Sequence, residues 1–186
     1  MSQFDQYRQD VATALSGVYA PRVDEMVKLL ERVRYQQATV YVIGNGGSAA
    51  TASHFANDLL KMCGVRALAL TDLSPTVLAY GNDHGWDQMF AMPLRRLLQP
   101  MDCVVAISCS GDSPNVAEAM RMVKTCGLPS LKSIVLTGAD VNCRLAKIIP
   151  DVIVYVPFKD IRVQEDCHLV ICHAVAGALR DAATQT

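Results

Sequence analysis

The segment 41–61, YVIGNGGSAATASHFANDLLK, combines residues that bind anions with residues that do acid–base or metal chemistry. A short apolar run leads into GNGGS, and His54 and Asp58 follow four residues apart. Residues four apart on a helix share one face. A Gly-rich turn at a helix start offers backbone N–H groups to an anion, and Ser48 adds a hydroxyl. The segment therefore predicts a phosphate site on the same helix as a His/carboxylate pair.

The GNGGS turn differs from the two best-known nucleotide-binding loops. Its glycines are Gly44, Gly46 and Gly47, which do not match the G-x-G-x-x-G spacing of dinucleotide sites. The Lys-Ser/Thr ending of a P-loop is absent as well, which disfavours a nucleoside triphosphate. A purely structural role for the glycines stays open from this turn alone.

A second loop, SCSGDS at 108–113, is rich in hydroxyl groups. Ser108, Ser110 and Ser113 can place three hydroxyls around one small anion. Pro114 suits the first turn of a following helix, and Ser113 can cap that helix with its side chain. The alternative is a serine-rich capping loop without a ligand. Neither loop contains Lys or Arg, so a phosphate there would be held by hydroxyl and N–H groups in a neutral pocket.

The C-terminal segment VQEDCHLVICHAVAGAL supplies a further carboxylate and imidazole. Glu165 and His173 lie eight residues apart, about 80° around a helix and roughly 12 Å along it. Together with His54 and Asp58 they would form two imidazoles and two carboxylates, a set that suits zinc or another divalent metal. On its own, the His54/Asp58 pair could equally be an acid–base pair or an ordinary surface pair. His168 lies about 140° from His173 and is expected to contact the sheet or a neighbouring subunit.

A third polar segment, YGNDHG at 80–85, is predicted as a loop before a helix that carries the single tryptophan, Trp86. Asn82 and Asp83 can hydrogen-bond the hydroxyls of a sugar. The alternative is a turn followed by a helix N-cap.

The rest of the chain alternates strand and helix signals, which predicts an α/β fold. Short apolar runs without alternation are typical of parallel strands that are covered on both faces. Helices between them predict a three-layer sandwich with a five-stranded parallel sheet in the flavodoxin-like order 2-1-3-4-5. The predicted strands are 39–43, 66–70, 103–108, 132–136 and 152–156, and the predicted helices are 49–62, 85–98, 114–126, 143–148 and 160–182. Residues 1–37 are predicted as a helical arm that breaks near Pro21, before an α/β core over 38–186, all in one domain of 186 residues.

Composition restricts the partners and the compartment. Hydrophobic residues make up 51% and charged residues 19% of the chain, as expected for a globular protein. The formal charge of −1 gives no basic field for nucleic acid or for a membrane surface. No apolar run approaches the length of a membrane span, and the N-terminus does not follow the plan of a signal peptide. Seven cysteines without a CxxC pair predict reduced thiols in the cytoplasm rather than a disulfide framework.

Taken together, these motifs resemble those of the sugar isomerase (SIS) domain family. The resemblance rests on GNGGS…HF, YGND, IS-x-SG-x-S-x-NV and QE…H, and it covers nearly the whole chain. Within the family the chain is most similar to the phosphoheptose isomerases, which interconvert sedoheptulose 7-phosphate and D-glycero-D-manno-heptose 7-phosphate. The resemblance implies a homotetramer with active sites at subunit interfaces, a sugar-phosphate substrate, and zinc as cofactor in many members.

The resemblance also assigns roles to residues that match the family motifs. It implies metal binding by His54 and a catalytic function for His173, the histidine of the final helix. The implied substrate-binding residues are Asn45, Gly46, Gly47 and Ser48 in the first loop, Ser108, Cys109, Ser110 and Ser113 in the phosphate loop, Asn82 and Asp83 in the sugar-contacting loop, and Glu165 on the final helix.

Two positions depart from the family pattern. Asp58 stands where the family has a glutamate, which shortens the side chain by one methylene. Glu165 stands eight residues before the last histidine, where the family has a glutamine. The glutamine of this chain, Gln164, is one residue earlier. Helix geometry favours Glu165 as the residue that faces the site. The implied mechanism is aldose–ketose isomerisation through a cis-enediol. Asp58, or Glu165 in its place, removes the proton, His173 assists at the sugar oxygens, and a metal held by His54, Asp58, Glu165 and His173 polarises the carbonyl.

Two other functions stay open. One is a non-catalytic SIS module, like a relative that associates with the bacterial replication initiator. The other is an isomerase that acts on a different phosphosugar, because nothing in the motifs counts the carbons of the substrate.

Overall fold

The computed structural model describes residues 1–183 and contains one sheet of five parallel strands. Neighbouring strands follow the order β2-β1-β3-β4-β5, which confirms the predicted topology. In this order β2 lies on one side of β1, and β3 and the later strands lie on the other. The loops after β1 and β3 therefore lie side by side at the carboxyl edge of the sheet. The strands are β1 Thr39–Gly44, β2 Arg66–Ala69, β3 Cys103–Ser108, β4 Lys132–Thr137 and β5 Val152–Tyr155.

Helices cover both faces of the sheet and complete the predicted three-layer α/β sandwich. The helices are α1 Gln3–Ser16, α2 Ala20–Tyr35, α3 Gly47–Cys63, α4 Ser74–His84, α5 Gln88–Leu97, α6 Pro114–Thr125, α7 Arg144–Lys147 and α8 Ile161–Ala183. One apolar cluster joins α1, α2, α3 and α8 to one face of the sheet, and a second joins α4 to α7 to the other face. Within residues 1–183, no helix is both long and apolar enough to cross a membrane.

The buried strands explain why the sheet is parallel and central. All six residues of β3, CVVAIS, are buried. Val105 and Ile107 pack into the cluster on the α3/α8 face, and Val104 and Ala106 pack into the opposite cluster. Because successive side chains point to opposite faces, a strand that is apolar throughout needs a helical layer on each side.

The helix α4 differs from the prediction for residues 80–85. The prediction of a loop there was wrong, because Tyr80 to His84 form the last turn and a half of α4. Gly81 and Asn82 continue a helix that begins at Ser74 with Pro75 in its first turn. The helix ends at Gly85, where φ is +93°, and α5 begins three residues later than the prediction implied.

The helices α3 and α8 pack side by side on one face of the sheet. Phe55 and Leu59 from α3 and Cys172 and Val175 from α8 are buried in the same apolar cluster. The Cys63 thiol lies 3.3 Å from the carbonyl oxygen of Ala176. This packing holds the exposed faces of the two helices next to each other.

The N-terminal helices also contribute to that layer. Ser2 and Asp5 form a capping box at the start of α1, and Ala14, Met26 and Leu30 are buried against the core. All seven cysteines are free thiols in this structure.

His168 connects α8 to the sheet. Its Nε2 lies 3.2 Å from the carbonyl oxygen of Thr137 at the end of β4, so this nitrogen carries the proton and donates it. The Nδ1 atom therefore accepts, and the Cys109 thiol lies 3.9 Å away. His168 thus contacts the sheet, one of the two positions expected for it. Burial of the ring lowers the pKa of His168 from 6.5 to about 4.

Close approach of the backbone makes Gly44 sensitive to substitution. A Cβ at this position would lie 2.7 Å from the Ser48 carbonyl oxygen and 3.0 Å from that of Ile107. We expect Gly44→Ala to lower the free energy of unfolding in urea by about 1–3 kcal/mol, because backbone must shift to accept the methyl group. Gly177→Ala, a control in open space on α8, should instead raise it by about 0.5–1 kcal/mol. Equal effects of the two substitutions would contradict this account of the β1–α3 contact.

Burial of His168 makes stability depend on pH. Between pH 6.5 and 4 the unfolded chain binds a proton on this residue that the folded chain does not, so the folded state loses stability as the pH falls. We expect the difference in free energy of unfolding between wild type and His168→Gln to change by about 2 kcal/mol from pH 7 to pH 5, in favour of the variant. The Gln amide can still donate to Thr137. A difference that is independent of pH would show that the folded state protonates His168 normally.

Candidate functional site

Three side chains on the exposed edges of α3 and α8 converge into a cluster, here called the His–Asp–His cluster: His54, Asp58 and His173. The Nε2 atoms of the two imidazoles lie 3.0 Å apart. Oδ2 of Asp58 lies 3.4 Å from Nε2 of His54 and 3.7 Å from that of His173. The Asp58 side chain is 9% exposed, whereas each imidazole is 50% exposed. The carboxylate therefore forms the floor of a cluster whose imidazoles face outward.

The geometry of this cluster suits a divalent metal. Two nitrogen ligands on a tetrahedral zinc ion, each at about 2.0–2.1 Å, lie about 3.3 Å apart. The three distances in the cluster, 3.0, 3.4 and 3.7 Å, surround that value. Two imidazoles and one carboxylate are also a common ligand set in catalytic zinc sites, which leave a further position open to water or substrate. The residues present therefore fit a metal of this class.

Glu165 does not belong to this cluster. The group of convergent ligand atoms found among residues 1–183 contains His54, Asp58 and His173 alone. Glu165, expected as a fourth ligand, is outside this group, because eight residues of helix separate it from His173 by about 12 Å along the axis. It lies instead beside the loops that follow β1 and β3.

Those two loops enclose a cleft, here called the serine pocket, with a cavity volume of about 160 Å³. Its polar lining contains most of the predicted phosphate-binding residues, and two isoleucines form its apolar wall. The lining residues are Asn45, Ser48, Ile107, Ser108, Cys109, Ser110, Ser113, Ile161 and Glu165. The structure thus brings together the hydroxyl groups that the sequence placed 60 residues apart.

The loop after β3 arranges its hydroxyls through a tight turn. Gly111 has φ of +67° and donates its N–H to the Ser108 carbonyl at 3.0 Å, a conformation that favours glycine. The hydroxyls of Ser108 and Ser113 lie 3.3 Å apart. Ser110 accepts a hydrogen bond from the N–H of Asp112 at 3.1 Å. The predicted side-chain cap by Ser113 was wrong, because its hydroxyl faces Ser108 rather than the N–H groups of α6.

The loop after β1 presents backbone donors. Gly46 adopts φ of +53° just before α3, and the helix begins at Gly47. The first N–H groups of a helix have no partner within it and carry partial positive charge, which favours an anion at this end. Ser48 is buried beneath the turn, so its hydroxyl lies in the wall of the pocket.

Asn115 is a residue of the site that the sequence interpretation missed. Its side-chain amide exchanges two hydrogen bonds, each of 2.9 Å, with that of Asn45. Asn115 is fully buried at the start of α6, so this pair joins the two loops of the pocket. The signal was present in the sequence, as an amide directly after Pro114 in a helix whose first turn follows a ligand-binding loop.

The neighbours Gln164 and Glu165 point in different directions. The Gln164 amide is buried and donates to the Phe158 carbonyl, whereas Glu165 lines the serine pocket. Helix phase accounts for the difference, since adjacent residues are about 100° apart. Glu165 is thus the one of the two that faces the serine pocket.

Asn82 and Asp83 lie outside both parts of the site. They are exposed on the last turn of α4, and the Asn82 amide donates to Asp83 at 2.8 Å. Neither residue lines the serine pocket. Within residues 1–183, Asn82 and Asp83 therefore do not lie beside the other residues that were predicted to bind the substrate.

The serine pocket and the His–Asp–His cluster are held at a set separation by α3. Ser48 lies in the pocket and His54 in the cluster, six residues apart, which is about 9 Å along a helix. A small molecule with an anionic group at one end can reach from the pocket to the cluster. The arrangement can therefore anchor an anion and present a distant part of the same molecule to two imidazoles and a carboxylate.

Curated relatives share most of the length of the chain. A phosphoheptose isomerase of Thiobacillus denitrificans is 36% identical over 181 residues, which covers 94% of this chain and 88% of that protein. A phosphoheptose isomerase of Geobacter sulfurreducens is 36% identical over 173 residues and covers 90% and 88% respectively.

A solved structure and a family match point to the same group of proteins. The phosphoheptose isomerase of Neisseria gonorrhoeae superposes with a TM-score of 0.85 at 29% identity, over 96% of this chain and 95% of that one. Residues 6–138 match the SIS domain family. The fold, the two loops after β1 and β3, and these similarities lead to one conclusion: the chain belongs to the SIS, or sugar isomerase, domain family.

Proposed function

We propose that this protein is a phosphoheptose isomerase that converts sedoheptulose 7-phosphate into D-glycero-D-manno-heptose 7-phosphate. The observation that carries the proposal is the placement of an anion pocket and an imidazole–carboxylate cluster at two levels of one helix, α3. A phosphorylated sugar in its open-chain form is long enough to place its phosphate in one and its carbonyl in the other. The relatives named above, at 36% identity over most of the chain, support the same activity.

In this proposal the serine pocket binds the phosphate. The hydroxyls of Ser48, Ser108, Ser110 and Ser113 donate to its oxygens, together with the N–H groups of Gly46 and Gly47. Cys109 and Asn45 complete the walls. Binding the end of the substrate that does not react orients the reacting carbons and lowers the entropic part of the barrier.

Proton transfer is assigned to the cluster. Asp58 removes a proton from C1 of the ketose while the C2 carbonyl oxygen gains one, which gives the cis-enediol. Return of a proton to C2 and loss of the O1 proton produce the aldehyde, so the reaction leaves the atom count unchanged. His173, beside Asp58, carries protons to and from the two sugar oxygens.

His54, Asp58 and His173 would also hold a divalent metal, and zinc fits this donor set best. In that position a metal would supply Lewis-acid chemistry, polarising the substrate carbonyl. The roles of metal ligand and base fall on different oxygens of Asp58, since Oδ2 is the atom that faces both imidazoles.

We further propose that the protein assembles as a homotetramer in the cytoplasm, with the cluster at a subunit interface. Each imidazole of the cluster is 50% exposed, so a second subunit has room to cover it. Val170, three residues before His173 on α8, is 43% exposed, and Leu60 at the end of α3 is 58% exposed. Apolar side chains beside a polar site suit a contact surface. Seven free thiols suit a reducing compartment.

The direct test is turnover of sedoheptulose 7-phosphate by the purified protein, with metal content measured on the same sample. We expect formation of the heptose 7-phosphate, about one divalent ion per chain, and loss of activity on prolonged chelation. His173→Asn should lower kcat on the order of 100-fold or more, because it removes a proton carrier and a metal ligand. Circular dichroism and size-exclusion chromatography confirm that the variant is folded and assembled. Undiminished isomerisation by that variant would remove His173 from the mechanism.

The shortened carboxylate at position 58 gives a sharper test of the base. We expect Asp58→Asn to lower kcat about 10²–10⁴-fold, because the amide cannot accept the proton. Asp58→Glu restores a carboxylate and should retain far more activity than Asp58→Asn at an unchanged fold. If the Asn and Glu variants were equally impaired, the charge of this residue would not be what the reaction needs.

A further inference from the structure

A carboxylate lies inside the serine pocket without a cation to neutralise it. Glu165 lines the cleft together with hydroxyl, thiol and amide groups, and the lining contains no Lys or Arg. Within residues 1–183, the Glu165 side chain forms no hydrogen bond and no ion pair. The nearest arginine in sequence, Arg162, is already paired with Asp160 at 2.6 Å.

One close contact locates this charge, and an electrostatic effect on a neighbouring thiol agrees with it. A methyl group at Gly47 would collide with the Glu165 carboxylate, which therefore lies against the first turn of α3. The pKa of the Cys109 thiol is raised to about 11, first by burial and second by the negative charge of Glu165. The carboxylate is thus close to both loops of the pocket, at the end of α3 where an anionic ligand is expected.

The orientation of α8 about its own axis is fixed by the residues on either side of Glu165. On one side Gln164 donates to the Phe158 carbonyl, and on the other side Asp166 accepts a hydrogen bond of 2.8 Å from the Tyr7 hydroxyl on α1. Because both neighbours are anchored in other directions, the helix cannot turn the intervening residue away from the pocket.

We infer that Glu165 determines the ligand specificity of the serine pocket by opposing a doubly charged phosphate. Like charges a few ångströms apart in a partly buried site repel each other, and no cation in the lining offsets the repulsion. A ligand that donates a hydrogen bond to the carboxylate, through a hydroxyl or a protonated phosphate oxygen, is favoured over one that presents only acceptors. This inference rests on the proposed function in one respect, that the serine pocket is the phosphate subsite.

Binding of inorganic phosphate to the purified, assembled protein at pH 8 tests the inference without turnover. Calorimetry should give a Kd for Glu165→Gln that is about 10-fold lower than for wild type, because the amide keeps the shape and removes the charge. The matched control is Asp166→Asn, which makes the same change in net charge one residue away, on a side chain that faces Tyr7. The control should bind phosphate as wild type does.

A second neutral variant, Glu165→Ala, keeps the test decisive if Glu165→Gln does not fold, and it should tighten phosphate binding in the same direction. Equal or weaker binding by the neutral variants, or equal tightening by Asp166→Asn, would overturn the inference. Turnover of sedoheptulose 7-phosphate by wild type is measured separately. Tighter phosphate binding without turnover rejects the proposed function alone, whereas turnover without tighter binding rejects this inference alone.

Discussion

The packing of α3 against α8 is the contact on which the rest of the candidate site depends. Buried side chains such as Phe55 and Val175 hold the two helices together on one face of the sheet. Their exposed edges then meet, which places His54 and Asp58 next to His173 although more than 110 residues separate them in the chain. The cluster contributes no apolar burial of its own. Its geometry follows from a core that would form without it.

The same helix connects the cluster to the serine pocket. The helix α3 begins at Gly47 in the pocket and carries His54 less than two turns further on. A helix is stiff over this length, so the distance between the two parts does not depend on loop conformation. The Asn45–Asn115 pair joins the two loops at the other end of the pocket. Anchoring and chemistry are thereby separated in space but rigidly linked.

Two departures from the family pattern have different consequences in the structure. Asp58 is one methylene shorter than glutamate, yet its Oδ2 lies 3.4 and 3.7 Å from the two imidazole nitrogens, so the shorter side chain still reaches the cluster. Glu165 stands where the resemblance implies a glutamine, and it places a carboxylate in a pocket whose lining contains no Lys or Arg. The first change preserves the geometry of the site, whereas the second changes its electrostatics. Ligand specificity is therefore the property on which the charge of Glu165 is expected to act.

Local periodicity and turn chemistry were enough to predict the five strands, the two loops after β1 and β3, and the face of α3 that carries His54 and Asp58. The strand order was predicted from the placement of those two loops at neighbouring strand ends. The sequence also singled out His173 as the partner from the final helix. It did not predict that Asn82 and Asp83 continue α4 or that Asn115 joins the two loops, and it left Glu165 with two roles, of which the structure shows a place in the serine pocket. These outcomes depend on how far along and around each helix the packed core places a residue. Spacing within one helix can be counted in the sequence, but the register between two helices is decided only by the side chains that pack between them.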